Sequence, residues 1–148
     1  MEMDHEAFMK EALAEARLAF DAGEIPVGAV VVKGGVVVGR GHNTREADLD
    51  ISGHAEINAL RDAARELGTW DLSGCVIYVT LEPCPMCAGA ILQSRIRTLV
   101  YGEDDPAEGG LTKYRLFDYG NASTLVCPGL LREECRELLD SFFEKLRH

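Results

Sequence analysis

A chain of 148 residues, 47% apolar and 27% charged, has the size and make-up of one ordinary globular domain. No run of about 18 apolar residues occurs, and Glu2, Asp4 and Glu6 stand where a secretory leader would be basic and then apolar. Those features speak against a membrane span and a signal peptide, so a cytoplasmic protein is expected, while the net charge of −10 argues against a partner gripped through its phosphates.

In chain order, residues 4–22 form a predicted amphipathic helix. Asp4 is placed to cap it, Phe8, Ala12, Ala16 and Phe20 recur every four residues, and Gly23 stops it. Residues 26–32 and 36–42 are β-rich runs on either side of Lys33-Gly34-Gly35, a hairpin signal. A second helix over 54–67 ends at Gly68. Residues 75–80 make a strand apolar on both faces, as buried strands are. A third helix begins at Pro85, proline being favoured at the first helical position, and runs to about residue 95. Another short strand spans 98–102, and 103–122 shows no dominant period. A strand near 123–126 and a helix over about 130–146 close the chain. Trp70 and Met86 are assigned to packing. Strand–helix–strand order predicts a single α/β domain over 1–148, a three-layer α/β/α sandwich with a mixed sheet of about five strands. Its site is expected beyond the carboxyl ends of the strands.

Five cysteines in a chain without an export signal favour metal binding or catalysis over disulfides. Two of them fall in Pro83-Cys84-Pro85-Met86-Cys87, and upstream stands His54-Ala55-Glu56. Together these form the recognised signature of zinc-dependent nucleobase deaminases. Cysteines three apart in the first turn of a helix converge on one ion, and the positive helix end favours the thiolates that a metal needs. His54 supplies a third ligand, and catalytic zinc sites, with one ion per chain here, leave the fourth position to water. A closed structural site would need Cys75, Cys127, Cys135 or His42 as well, and none has the short spacing of such sites. Zinc held by two thiolates and one imidazole acidifies water only moderately, so a base is needed nearby. Glu56 is the candidate; the alternative is an ordinary solvated helix glutamate, and with it a zinc-stabilised interaction protein without catalysis. The implied reaction is hydrolysis of a cyclic amidine: an exocyclic amine becomes a carbonyl and ammonia leaves.

The sequence resembles the cytidine deaminase-like superfamily over nearly its whole length. Within it, the closest likeness is to bacterial wobble-position tRNA adenosine deaminases. The likeness is carried by residues 23–30 (Gly-Glu-Ile-Pro-Val-Gly-Ala-Val), 54–60 (His-Ala-Glu-Ile-Asn-Ala-Leu) and 78–91 around the two cysteines, then Ser94-Arg95-Ile96 and Val100-Tyr101-Gly102. It implies a homodimer packed through the central helices and a base bound beside zinc. It also implies that Asn43 hydrogen-bonds the base, Val27 lines an apolar wall and Asp105 contacts backbone or ribose.

Several features depart from the tRNA-acting pattern. Ile51-Ser52-Gly53 replaces Pro-Thr-Ala before the histidine, and residues 109–115 resemble fungal cytosine deaminases more, as does Gly39-Arg40-Gly41-His42-Asn43. The last helix mixes Arg132, Arg136, Lys145 and Arg147 with Glu133, Glu134, Glu137, Asp140 and Glu144 instead of forming a basic tail. Glu103, Asp104, Asp105 and Glu108 form an acidic cluster at the expected pocket rim, where phosphates would meet like charge. The sequence therefore favours a small-molecule substrate, a free nucleobase or nucleoside (cytosine, adenine, guanine or a related aminated heterocycle), with wobble adenosine of tRNA as the alternative. Tyr101, Tyr114, Phe117 and Tyr119 are the candidate rings to stack on the base.

Overall fold

The computed structural model describes residues 4–118 and 123–147. Helix α1 (His5–Asp21) leads into the hairpin of β1 (Gly28–Lys33) and β2 (Val36–His42), then a one-turn helix α2 (Arg45–Asp48) and helix α3 (Ala55–Leu67). Strand β3 (Cys75–Leu81), helix α4 (Pro85–Ser94) and strand β4 (Thr98–Glu103) follow. A 3-10 turn (Leu116–Asp118), strand β5 (Leu125–Cys127) and helix α5 (Arg132–Arg147) complete the described chain. The strands form one five-stranded sheet in the order β2-β1-β3-β4-β5. Strand β1 is antiparallel to both β2 and β3, whereas β3, β4 and β5 run parallel. This is the mixed, three-layer α/β/α architecture that the sequence predicts.

Alternation along β1 sets the layers. Ala29 and Val31 face a core shared with α3 and α4, and Val30 and Val32 face one shared with α1 and Cys135 of α5. All four side chains are buried, each of the valines contributing about 1.5–3 kcal/mol by leaving water. A one-residue slip of register would exchange the faces, so the pairing of Ala29 with Val79 and of Val30 with Tyr78 is strongly specified.

The α3 layer lies unusually close to the sheet. A Cβ on Gly39 would sit 2.5 Å from the Ala59 carbonyl oxygen, and one on Gly41 would overlap the Ala55 carbonyl. The helix meets those glycines with Ala55, Ala59 and Ala63, all fully buried. Small residues on both sides let backbone rest on backbone, which fixes the start of α3 relative to β2. Helix α1 buries Met9, Ala12, Ala16 and Ala19, so its apolar stripe is turned from the four-residue spacing of Phe8 and Phe20. Those two rings flank the stripe, Phe8 against Tyr78 and Phe20 against Phe142. Asp4 caps the helix as predicted, accepting the Ala7 N–H at 3.0 Å. Trp70 is not a core residue: it is 62% exposed, with the Arg95 guanidinium 5.2 Å above its ring. Among the described residues no helix is long and apolar enough to cross a membrane.

Candidate active site

Two helix starts meet at the carboxyl end of β3. His54 is the N-cap of α3 and Cys84 the N-cap of α4, both with extended backbone and neither spending its side chain on capping. The first N–H of α3 is satisfied from elsewhere, by Asn43 Oδ1 at 3.0 Å from Ala55 N. His54 is thereby free to turn inward, and its Nδ1 lies 3.5 Å from each of the Cys84 and Cys87 sulfurs. Ligands bonded to a tetrahedral ion at about 2.3 Å (thiolate) and about 2.0 Å (imidazole) stand about 3.5 Å apart, so the three donors fit such an ion. Among the described residues no other His, Cys, Asp or Glu joins the group. Three protein ligands leave a tetrahedral position open, as hydrolytic centres require.

Charge in the site is shared tightly. A hydrogen bond with the Cys87 thiol, joined by one with His54, pulls Cys84 down to about 4. The same contact with Cys84, together with burial, pushes Cys87 up. His54 is raised, chiefly through its hydrogen bond with Cys84. A divalent cation would convert both thiols to thiolates. Glu56 lies on the first turn of α3 and is 4% exposed, so it is not the solvated helix glutamate of the alternative reading. Burial pushes its carboxyl up to about 7, opposed by its own backbone N–H and reinforced by the nearby Cys84 charge. A group poised near neutrality both accepts and releases a proton.

Val27, Asn43, His54, Glu56, Cys84 and Asp105 line one cavity of about 880 Å³. Cys87 lies fully buried beneath it. Asn43 is part of the scaffold as well as the wall: besides holding Ala55 N, it donates from Nδ2 to the Ile25 carbonyl at 3.0 Å. Asp105 folds its own turn, Oδ1 accepting from Ala107 N and Glu108 N. Met86, assigned above to packing, is 39% exposed and lines the cavity. The aromatic rings in the wall are Phe142 and Phe143 of α5, not those singled out in the sequence. Tyr101 is buried and donates its hydroxyl to Asp104 at 2.7 Å, Tyr114 and Phe117 lie outside the lining, and Tyr119 lies outside the described residues.

Two buried carboxylates escaped the sequence reading. Glu24, 3% exposed, accepts the N–H groups of Glu46 at 3.1 Å and Ala47 at 2.8 Å, capping α2 from a distant loop. Glu82, 2% exposed, accepts from the 105–112 loop. Both lie in the stretches 23–30 and 78–91 that carry the family likeness, each a carboxylate beside an apolar run, Glu24 before Ile25 and Glu82 after β3.

The acidic rim is not the bare negative field that the sequence suggests. Arg132 reaches Asp104 at 3.1 Å and Glu103 at 3.6 Å, Arg136 pairs with Glu103, and Asp105 is bound to its own turn. Opposite charge from α5 thus offsets Glu103 and Asp104, two of the four acids, and weakens the electrostatic case against a polyanionic substrate.

Fold and site together define a hydrolytic deaminase, an enzyme acting on C–N bonds. The chain belongs to the MafB19-like deaminase family, whose model matches residues 3–147. It is 44% identical over 145 residues to a tRNA-specific adenosine deaminase of Bacillus subtilis, covering 96% of this chain and 90% of the relative. A tRNA-specific adenosine deaminase of Aquifex aeolicus is 42% identical over 148 residues, covering 99% and 98%. A solved structure from work on A-to-I editing by tRNA:A34 deaminases superposes with a TM-score of 0.86 at 43% identity, covering 90% of this chain and 99% of that one. These full-length likenesses overturn the expectation of a free nucleobase or nucleoside as substrate. That expectation leaned on net charge, on the acidic rim and on short sequence departures around 51–53 and 109–115, and the pairing of Glu103 and Asp104 with arginines of α5 weakens the second of these supports.

Proposed function

We propose that the protein is a zinc-dependent adenosine deaminase that forms inosine at the wobble position of tRNA, acting in the cytoplasm as a homodimer of single-domain chains (1–148). The observation that supports this best is near-full-length identity above 40% to tRNA-specific adenosine deaminases, in a chain that presents His54, Cys84, Cys87 and Glu56 around one cavity.

His54, Cys84 and Cys87 would hold zinc, which when bound supplies a Lewis acid that brings the pKa of a water toward neutrality. Glu56 takes one proton from that water and hands it to a ring nitrogen. It then takes the second from the hydroxyl on the attacked carbon and gives it to the amine, which leaves as ammonia as the C–N bond breaks and the carbonyl forms. Adenosine and water are consumed; inosine and ammonia are released. Glu56 lines the cavity but is buried, and Val27 on the apolar side of the wall helps keep bulk water from the carboxyl that moves these protons. Asn43 offers the base its second amide hydrogen, since its oxygen and its other hydrogen are committed to Ala55 and Ile25. Asp105 presents Oδ2 toward ribose or backbone, its Oδ1 being used by its own turn.

The test is incubation of the zinc-loaded protein with an anticodon stem-loop carrying adenosine at the wobble position. Inosine, read as guanosine after reverse transcription, is expected with wild type. A zinc-loaded protein that leaves adenosine intact in every stem-loop sinks the reading. Light scattering that returns the mass of one chain would remove the dimer from it.

A further inference from the structure

Glu82 has no part in the chemistry above, yet it is one of the most thoroughly buried charged groups in the chain, at 2% exposed. A carboxylate does not hold that position without partners. Oε1 accepts the Asp105 N–H at 3.0 Å and the Thr112 hydroxyl at 2.9 Å, and Oε2 accepts the N–H groups of Leu111 at 3.1 Å and Thr112 at 2.8 Å. The donors come from the two ends of a single loop, 105–112, so the carboxylate draws that loop into a ring. The ring is pressed onto the turn that carries the metal ligands. Gly110 N donates to the Pro83 carbonyl at 2.8 Å, and a Cβ on Gly110 would lie 3.0 Å from the Cys84 carbonyl oxygen and 2.9 Å from Ala88 Cβ. Gly109 passes so near that a Cβ there would overlap Glu82 Oε2. Asp105 and Glu108 of this loop line the same cavity as Asn43 and Arg45.

We propose that Glu82 is a positioning residue for substrate: its carboxylate shapes the 105–112 loop into the wall against which the nucleotides flanking the target base are held. It acts on binding through the loop and leaves the chemical step alone. The inference rests on the tRNA reading of the site. Glu82→Gln keeps the size of the side chain but turns one acceptor into a donor that faces a backbone N–H. Gly109→Ala attacks the same contact from the loop side and leaves the carboxylate in place.

The experiment is steady-state deamination of the anticodon stem-loop by wild type, Glu82→Gln, Gly109→Ala and the double variant, with metal analysis and amide exchange on each. Both single variants are expected to raise KM by about tenfold while kcat stays within about threefold, and the double variant to be no worse than the poorer single one. Zinc stays at one per chain, and the amides of Asp105, Leu111 and Thr112 exchange faster. Thr112→Val removes a single hydroxyl donor, so it raises KM less and serves where Glu82→Gln does not fold. An unchanged KM, a fall in kcat with KM held, or loss of zinc each overturns the proposal, the last two by assigning Glu82 to the metal turn. Wild type that makes no inosine overturns the tRNA reading itself, which separates the two failures.

Discussion

The floor of the cavity, formed by His54, Glu56, Cys84 and Cys87, and its rim share one end of the sheet but are built from different units, paired motifs on the floor and single residues at the rim. On the floor, Cys84 and Cys87 are sequence neighbours on one helical turn, and His54 and Glu56 are neighbours on another. The rim is assembled from partners far apart in the chain: Glu82 with Thr112, Glu103 with Arg136, Glu24 with Glu46. Local chemistry therefore fixes what reaction is possible, and long-range polar closure fixes what is admitted to it.

If the floor carries the reaction, its loss should abolish turnover whatever the rim does. Chelation is expected to remove activity to background, added zinc to restore it, and the melting temperature to fall, because an ion that binds the folded state stabilises it. Activity that survives with metal below a tenth of an equivalent per chain breaks the comparison at its root. Glu56→Gln should cost kcat about 10²–10⁴-fold with metal content unchanged, measured by inosine formation under saturating stem-loop. Retention of half the wild-type rate would hand the proton to another group. Gly41→Val tests how the floor is set in place: the added side chain must push α3 off β2, destabilising the fold by about 1–3 kcal/mol in urea unfolding and lowering kcat, since Ala55 sits between His54 and Glu56. The smallest effect belongs to the rim. Arg132→Ala unmasks Asp104 and Glu103, so KM for the stem-loop should rise a few-fold at low salt and less at high salt, with stability changed by under about 1 kcal/mol. A KM indifferent to salt in that variant would show that RNA does not feel those carboxylates.

The same division explains what was legible in the sequence. The helices and strands were visible because their apolar periods are local, and the four floor residues because their types and spacing are specific to one chemistry. Helix α2 was invisible: four residues hold no period, and its cap comes from Glu24, 22 and 23 residues upstream of the amides it binds. Glu82 had no role assigned from the sequence because its donors lie 23 to 30 residues on. The error over substrate has the same origin. Counting acids along 103–108 could not reveal that α5 brings Arg132 and Arg136 back to them, nor that Phe142 and Phe143 enter the cavity wall.

Asn43 ties together parts that an engineer would like to vary separately. One end of its amide fixes the helix that begins at His54, and the other fixes the strand approach that places Val27. Enlarging the pocket by shortening this side chain would loosen His54, a proposed metal ligand, and a wall in one stroke. Arg45 and Glu46, which line the same cavity from α2, are the better places to begin reshaping what the pocket accepts.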